Sequence, residues 1–331
     1  MKKLMNDPKN LCDELIDGYV RAFPDYVRRL AGTRIVLRAR PKSPDQVAML
    51  IGNGAGHEPI AMGWVGQGML DGNVLGDIFA APGPEAILEG IKAVCGDAGV
   101  LLLVSHHAGD LMNATLALDL AQEAGLKVEP LLMYDDISSA PKGQESQRRG
   151  TAGTTFIYKI VGARAEEGAS LQELKALGER VRDNTRTLSV ALAPGTSPFT
   201  GQPMFQLGAD QMAIGMGVHG EAGKEILKFP GADQTVRLMA EAILTDLPFK
   251  PGDQVLALVN GAGSTTLMEL LIAYRALDRL LEQRGISVYR PLVGSYVTTQ
   301  EMAGMAIALC RSDAEMRRLW DAPGQVPYFH R

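Results

Sequence analysis

The chain has 331 residues, of which 46% are hydrophobic and 21% are charged, and its formal net charge is -5. These proportions are close to those of average globular domains, so they exclude an intrinsically disordered chain and a fibrous one. Acidic and basic residues are interspersed, which excludes the basic surface expected of a nucleic-acid partner. The length fits two domains of ordinary size, or one large domain.

The N-terminus and the cysteines bear on the cellular compartment. The first residues lack the apolar stretch of a signal peptide, and no apolar run approaches the ~20 residues of a membrane span. Cys12, Cys95 and Cys310 lack the CxxC spacing typical of zinc sites, and they do not suggest a disulfide framework. We therefore expect a cytoplasmic protein with reduced cysteines and no membrane partner.

In the first half of the chain, short apolar runs alternate with stretches of helical periodicity. The runs predict strands at residues 35–37, 47–51, 100–104, 128–134 and 188–192. Helices are predicted at 84–94 and 110–124, with Gly125 placed to end the second one in the left-handed conformation, and a longer helical stretch covers 156–184. Such alternation predicts an α/β fold with largely parallel or mixed sheets.

A cluster of loop-forming residues at 193–198 predicts a domain boundary. We expect an N-terminal α/β domain at residues 1–190 and a C-terminal α/β domain at 191–331, with the ligand site at their junction. In the second domain, the apolar pattern predicts strands at 255–259 and 287–292. It also predicts helices at 265–283 and 301–309.

The predicted strand at 47–51 runs directly into a glycine-rich turn that contains Gly54, Ala55, Gly56 and His57. Ligands in open α/β sheets bind beyond the carboxyl ends of strands, and glycines there let a ligand approach the backbone closely. The alternative is a tight connection without a ligand. The many glycines at 63–82 predict irregular backbone, of the kind that commonly forms the wall of a site.

The predicted strand at 100–104 delivers Ser105, His106, His107 and Asp110 to the same expected sheet edge. Adjacent histidines point in different directions, and no third ligand has a recognisable spacing, so the pattern does not favour a metal site. These polar side chains are instead candidates for binding a small ligand.

Residues 214–223 contain the pattern G-x-G-x-x-G and a histidine, His219. A dinucleotide fingerprint needs a long preceding strand and a following helix, and neither is predicted here. His219 lies between Gly217 and Gly220, where little would obstruct a small ligand from reaching its ring. A purely structural histidine is the alternative.

Together these segments resemble the sugar-binding K subunit of dihydroxyacetone kinases over nearly the whole chain. The agreement is ordered along the sequence: Gly-His-Glu-Pro at 56–59, Gly-Gln-Gly-Met-Leu at 66–70, Gly-Asp at 109–110, Arg-Arg-Gly at 148–150, His-Gly-Glu at 219–221, Asp-Gln-Thr-Val at 233–236, Ala-Leu-Val-Asn at 257–260 and Trp-Asp-Ala-Pro at 320–323. Ordered agreement is more specific than any single motif.

The resemblance implies a division of labour between subunits. The K subunit binds a short ketose, and a separate L-type subunit or domain binds ATP or ADP with magnesium. Because this chain lacks a G-x-x-x-x-G-K-[ST] loop and a segment like the L domain, we expect it to bind no nucleotide cofactor and no metal itself. The family is typically dimeric, so the resemblance also implies a homodimer.

The resemblance further implies a role for each candidate residue. His219 adds through a ring nitrogen to the ketose carbonyl as a hemiaminal, and Asp110 receives the proton of the hydroxyl that is phosphorylated or orients that hydroxyl. His57, the third catalytic residue, hydrogen-bonds the sugar and assists proton movement. The substrate-binding set is completed by Gly54, Ala55, Gly56 and Ser105.

Two departures from the family pattern bear on the substrate. This chain has Ser-His-His-Ala at 105–108 where the family usually has Lys-Asn-Tyr-Thr, and it has Ala81 where a serine is usual. We expect dihydroxyacetone or a related ketose such as erythrulose. Two alternatives stay open: a ligand-sensing co-activator of transcription with the same fold, and a nicotinamide dehydrogenase based on the glycine pattern alone.

Overall fold

The computed structural model describes residues 2–217, 223 and 225–330. The chain forms two compact units, each assembled from separate stretches of sequence. The first unit contains Lys2–Met133, Thr155–Val181 and Arg318–Arg331, and the second contains Tyr134–Thr154 and Arg182–Arg317. Each unit has its own sheet with helices, which confirms the predicted α/β class.

The helices predicted at 84–94 and 110–124 are present to within two residues at each end, whereas the helix Leu11–Ala22 was not predicted. In chain order the helices are α1 (Leu11–Ala22), α2 (Pro84–Val94), α3 (Ala108–Glu123), α4 (Thr154–Glu166), α5 (Leu171–Asp183), α6 (Ala232–Asp246), α7 (Leu267–Gln283) and α8 (Ala314–Asp321). Within residues 2–217, 223 and 225–330, no helix is long and apolar enough to cross a membrane.

The strands form one sheet in each unit and a small hairpin. In chain order they are β1 (Val27–Arg29), β2 (Ile35–Arg38), β3 (Ala48–Ala55), β4 (Gly72–Ile78), β5 (Val100–Val104), β6 (Val128–Leu132), β7 (Thr185–Ala193), β8 (Gln211–Ile214), β9 (Glu225–Lys228), β10 (Gln254–Gly261), β11 (Ser287–Val288), β12 (Leu292–Gly294), β13 (Ala303–Arg311), β14 (Gln325–Val326) and β15 (Phe329–His330).

The first unit's sheet has the order β1-β2-β4-β3-β5-β6. Its last four strands are parallel, and β1 and β2 are antiparallel. All five residues of β5 are buried, as a parallel strand covered on both faces requires. The chain leaves β3 toward β4 on one side and leaves β5 toward β6 on the other. Open α/β sheets bind their ligands in a crevice at such a reversal, which here lies at the carboxyl edge between β3 and β5.

The glycine-rich stretch at 63–82 was predicted to be irregular, and this prediction is wrong for residues 72–78, which form the internal strand β4. The glycines there serve close packing. A Cβ atom at Gly76 would lie 2.0 Å from the Ala80 carbonyl oxygen, and one at Gly72 would lie 2.9 Å from Leu37. Composition alone cannot reveal such neighbours, because it does not show how the backbone folds around each glycine.

The continuous helix predicted at 156–184 is in fact two helices, α4 and α5. The second begins with a capping interaction in which Ser170 and Glu173 hydrogen-bond each other's side chain and backbone. The predicted end of α3 is confirmed: Gly125 has φ +70° and donates to the Gln122 carbonyl at 3.0 Å, while Leu126 donates to Ala121.

The second unit's sheet has the order β11-β10-β13-β7-β8-β9, with β12 also paired to β10. The helix predicted at 301–309 is wrong, because residues 303–309 lie in β13, an internal strand between β10 and β7. A short, fully apolar run has no periodicity that distinguishes a buried strand from a buried helix. The expected boundary after residue 190 falls inside β7.

Two helical glycines give a matched test of this packing. In α2, a Cβ atom at Gly90 would lie 2.5 Å from a Val74 methyl group, whereas in α1 nothing lies within 4 Å of a Cβ at Gly18. We expect Gly90→Ala to lower the free energy of unfolding by about 1–3 kcal/mol through overpacking. Gly18→Ala should raise it by about 0.5–1 kcal/mol through helix propensity. Urea unfolding of both variants measures this, and a stabilising Gly90→Ala would contradict the packing described.

Candidate functional site

Most candidate residues from the sequence lie at the carboxyl edge of the first unit's sheet. His57 follows β3, Ser105 follows β5, and Asp110 lies in the first turn of α3. The strands β3 and β5 are parallel neighbours, so their ends meet at one edge. The structure therefore brings the glycine turn and the start of α3 to the two sides of the crevice.

The turn after β3 is covered by the segment of residues 79–82, which follows β4. A Cβ atom at Gly54 would lie 2.7 Å from the Ala80 nitrogen, and one at Gly56 would lie 2.6 Å from Phe79 Cε1. Phe79 also donates its backbone N–H to the Ala55 carbonyl at 2.9 Å. Both glycines thus have a steric reason that does not depend on a ligand.

His57 is enclosed by this arrangement. His57 is only 7% exposed. Its ring centroid lies 4.9 Å from that of Phe79, and the two ring planes are 41° apart. Phe79 has φ +59°, a left-handed conformation that costs a bulky residue about 1–2 kcal/mol. No local sequence pattern predicts a left-handed phenylalanine, so Phe79 is a site residue that only the structure reveals.

The Glu58 side chain forms a hydrogen bond within the same turn. Its Oε1 accepts a hydrogen bond from the Gly56 N–H at 2.9 Å, and Gly56 has φ +98°, which favours glycine. Burial raises the pKa of Glu58, and the hydrogen bonds from the backbone N–H groups of Gly56 and Glu58 partly oppose that rise. The turn therefore contains a carboxyl group that protonates more readily than an exposed one.

The other side of the crevice is the amino end of α3. His107 is the N-cap residue of α3, His106 has φ +58°, and Asp110 is the acidic residue of the first turn. Asn113 donates from Nδ2 to the Pro82 carbonyl at 2.9 Å, which ties α3 to the segment of residues 79–82. Helix N–H groups at this end favour an anionic or electron-rich ligand nearby.

The adjacent histidines do not form part of a recognisable metal centre. Among residues 2–217, 223 and 225–330, no group of three His, Cys, Asp or Glu side chains is arranged to hold a metal ion.

His219 lies outside the described residues, so the proposed covalent position stays a prediction. The described neighbours are β8, which ends at Ile214, and β9, which begins at Glu225 and pairs antiparallel with β8. A dinucleotide fingerprint requires a strand followed at once by a helix. Two successive antiparallel strands do not supply that setting.

Comparison with known proteins gives a family match over most of the chain. The model of the Dak1 domain matches residues 17–328. The dihydroxyacetone-binding subunit DhaK of a PTS-dependent dihydroxyacetone kinase from Listeria innocua is 42% identical over 315 residues, covering 95% of each chain. The D-erythrulose kinase of Mycolicibacterium smegmatis is 37% identical, covering 99% of this chain and 56% of its own length.

The solved structures agree with the sequence matches. A dihydroxyacetone kinase operon co-activator, Dha-DhaQ, superposes with a TM-score of 0.90 at 32% identity, covering 95% of this chain and 97% of the other. This similarity extends over both units and includes a relative whose name describes co-activation.

The raised pKa of the partly buried Glu58 predicts a pH-dependent stability. Its pKa is raised above the usual 4.5, so its contribution to stability is present below pH 4.5 and is lost as pH rises through the raised pKa. Glu58→Gln keeps an oxygen for the Gly56 N–H and removes the charge. We expect the variant's gain in Tm over the parent to be larger at pH 7 than at pH 4.5.

Glu173→Gln is the matched control for thermal unfolding at both pH values. The Ser170 backbone and hydroxyl groups lower the pKa of this carboxyl, so removing its charge should give no such gain at pH 7. Equal changes for Glu58→Gln at the two pH values would contradict the assigned burial effect.

Proposed function

We propose that this chain, which belongs to the Dak1 domain family, is the sugar-binding subunit of a ketose kinase. Its sequence similarity to a dihydroxyacetone-binding subunit of a dihydroxyacetone kinase supports this proposal. The single observation that carries this proposal is the meeting of His57, the glycine turn and Asp110 at one sheet edge, at the positions that the family resemblance selects. The arrangement supplies backbone donors, an enclosed imidazole and a carboxylate beside a helix amino end.

The proposed capture step is covalent. A ring nitrogen of His219 forms a bond to the ketose carbonyl carbon, the C=O π bond breaks, the oxygen gains a proton, and the imidazole loses its N–H proton. No atom leaves, so the product is a hemiaminal with the full mass of both partners. A polyol such as glycerol has no carbonyl, so it is rejected by reactivity rather than by size.

The proposed transfer step uses the carboxyl edge of the first unit's sheet. Asp110 receives the proton of the hydroxyl that attacks the phosphoryl group, while His57 hydrogen-bonds the sugar. Backbone groups at Gly54, Ala55 and Gly56, with Ser105 opposite, orient the remaining hydroxyls. Holding the nucleophile in one orientation contributes much of the rate acceleration.

The phosphoryl donor and the assembly form part of the same proposal. ATP, or ADP with magnesium, is held by a separate L-type subunit, and this chain acts as a cytoplasmic homodimer with no cofactor of its own. The name of the Listeria relative, a subunit of a PTS-dependent kinase, supports a division between sugar binding and phosphoryl donation. The departures from the family pattern at Ala81 and Ser105 affect which ketose is bound. The similarity to an erythrulose kinase supports testing erythrulose beside dihydroxyacetone.

A second candidate function is ligand sensing by a transcriptional co-activator. The likeness to the operon co-activator over nearly the whole chain favours it, as do the departures at Ala81 and at residues 105–108. Ketose-dependent binding to a transcription factor, without turnover in the presence of an L-type subunit and donor, would identify the sensor.

The covalent step predicts a specific mass. Incubation with excess dihydroxyacetone or erythrulose should raise the mass of the intact protein by the whole sugar without loss of water, as measured by native mass spectrometry. Glycerol should give no adduct, and His219→Ala should abolish the ketose adduct. A neutral ring is required, so the adduct should form better above the ordinary histidine pKa of ~6.5 than below it. An adduct that persists in His219→Ala would refute the assignment.

Asp110→Asn separates capture from transfer. Because the carboxylate is assigned to the attacking hydroxyl and not to the carbonyl, the variant should keep the ketose adduct. Turnover with an L-type subunit and its donor should fall by about 10²–10⁴-fold, the scale for loss of a general base. Comparable turnover in parent and variant would show that Asp110 has no such role.

A further inference from the structure

Phe79 is a bulky residue in a backbone conformation that glycine would adopt more easily. It is the first residue after β4 and has φ +59°. A strained residue of this kind persists only where its surroundings hold it, and such residues are concentrated at functional sites. Its position beside the glycine turn therefore calls for an explanation in terms of what its ring contacts.

Phe79 contacts both the glycine turn and the His57 ring. Its N–H is hydrogen-bonded to Ala55 at 2.9 Å, which joins the end of β4 to the end of β3. Its ring edge occupies space that any side chain at Gly56 would fill, since a Cβ there would lie 2.6 Å from Cε1. The ring centroid is 4.9 Å from the imidazole of the buried His57.

We propose that Phe79 is a positioning residue for His57. The aromatic ring restricts rotation of the imidazole, so that the ring nitrogens keep a fixed direction. Restricting a polar group before the ligand arrives lowers the entropy lost on binding. The left-handed backbone at Phe79 is retained because it brings the ring against His57. The test of this inference by ketose affinity rests on the proposed function.

A double-mutant cycle on ketose affinity tests whether Phe79 acts through His57. Binding of dihydroxyacetone and erythrulose is measured by calorimetry for the full chain, for Phe79→Leu, for His57→Ala and for the double variant. Phe79→Leu should weaken binding about tenfold in the parent and less than about twofold when His57 is already alanine, because contacting residues couple and independent ones add. Phe79→Tyr, which keeps the ring, should restore near-parental affinity.

A structural role alone would give a different pattern. Equal weakening by Phe79→Leu in both backgrounds, or no rescue by Phe79→Tyr, would overturn the inference. Phe156→Leu is the matched control, since Phe156 is a fully buried phenylalanine of the first unit that packs on Trp320. It should lower Tm while leaving ketose affinity unchanged.

A measurement without ligand keeps the two proposals separate. The chain has five histidines, and the ring resonances of His57 are identified by their loss in His57→Ala. In the free protein, Phe79→Leu should shift these resonances, because the ring current is removed and the imidazole gains rotational freedom. Unchanged resonances would refute positioning by Phe79. A parent protein that binds neither ketose would instead refute the proposed function, while the spectra still decide the role of Phe79.

Discussion

The candidate site depends on the close approach of two backbones, the end of β3 and the segment that follows β4. Glycine at 54 and 56 removes the side chains that would otherwise keep Ala80 and Phe79 away. The same approach encloses His57 and gives the crevice one of its walls. Since each contact joins segments that are more than twenty residues apart, the site is a product of the sheet and not of one loop.

The position of β3 is fixed at its other end by buried charges. Asp71 accepts from the Met49 N–H at 2.7 Å and pairs with Arg38 and Lys42, each at 2.9 Å. Both oxygens of the carboxylate are therefore paired with buried cations or backbone, which is the condition under which an ion pair is tolerated inside a protein. The strand that presents the glycine turn is held by an ionic network at its amino end and by steric fit at its carboxyl end.

The sequence pattern was most informative where one segment carries its own signal. Helix α2 and strand β5 match their predicted bounds, and the left-handed Gly125 ends α3 as expected. The sequence pattern failed where contacts in the folded chain decide the conformation. The glycines of β4 suggested a loop, although they make room for Leu37 and Ala80, and the apolar residues of β13 suggested a helix, although two flanking strands bury them.

By itself the sequence determined the α/β class, the family resemblance and the candidates at the ends of β3 and β5, because strand ends, glycine turns and ordered motifs are local features. Only the tertiary structure decided that β4 lies beside β3 and that the chain crosses four times between its two units. It also decided that Phe79 packs on His57. These outcomes depend on which segments pack together, and a linear pattern carries no distances between residues that are far apart in the chain.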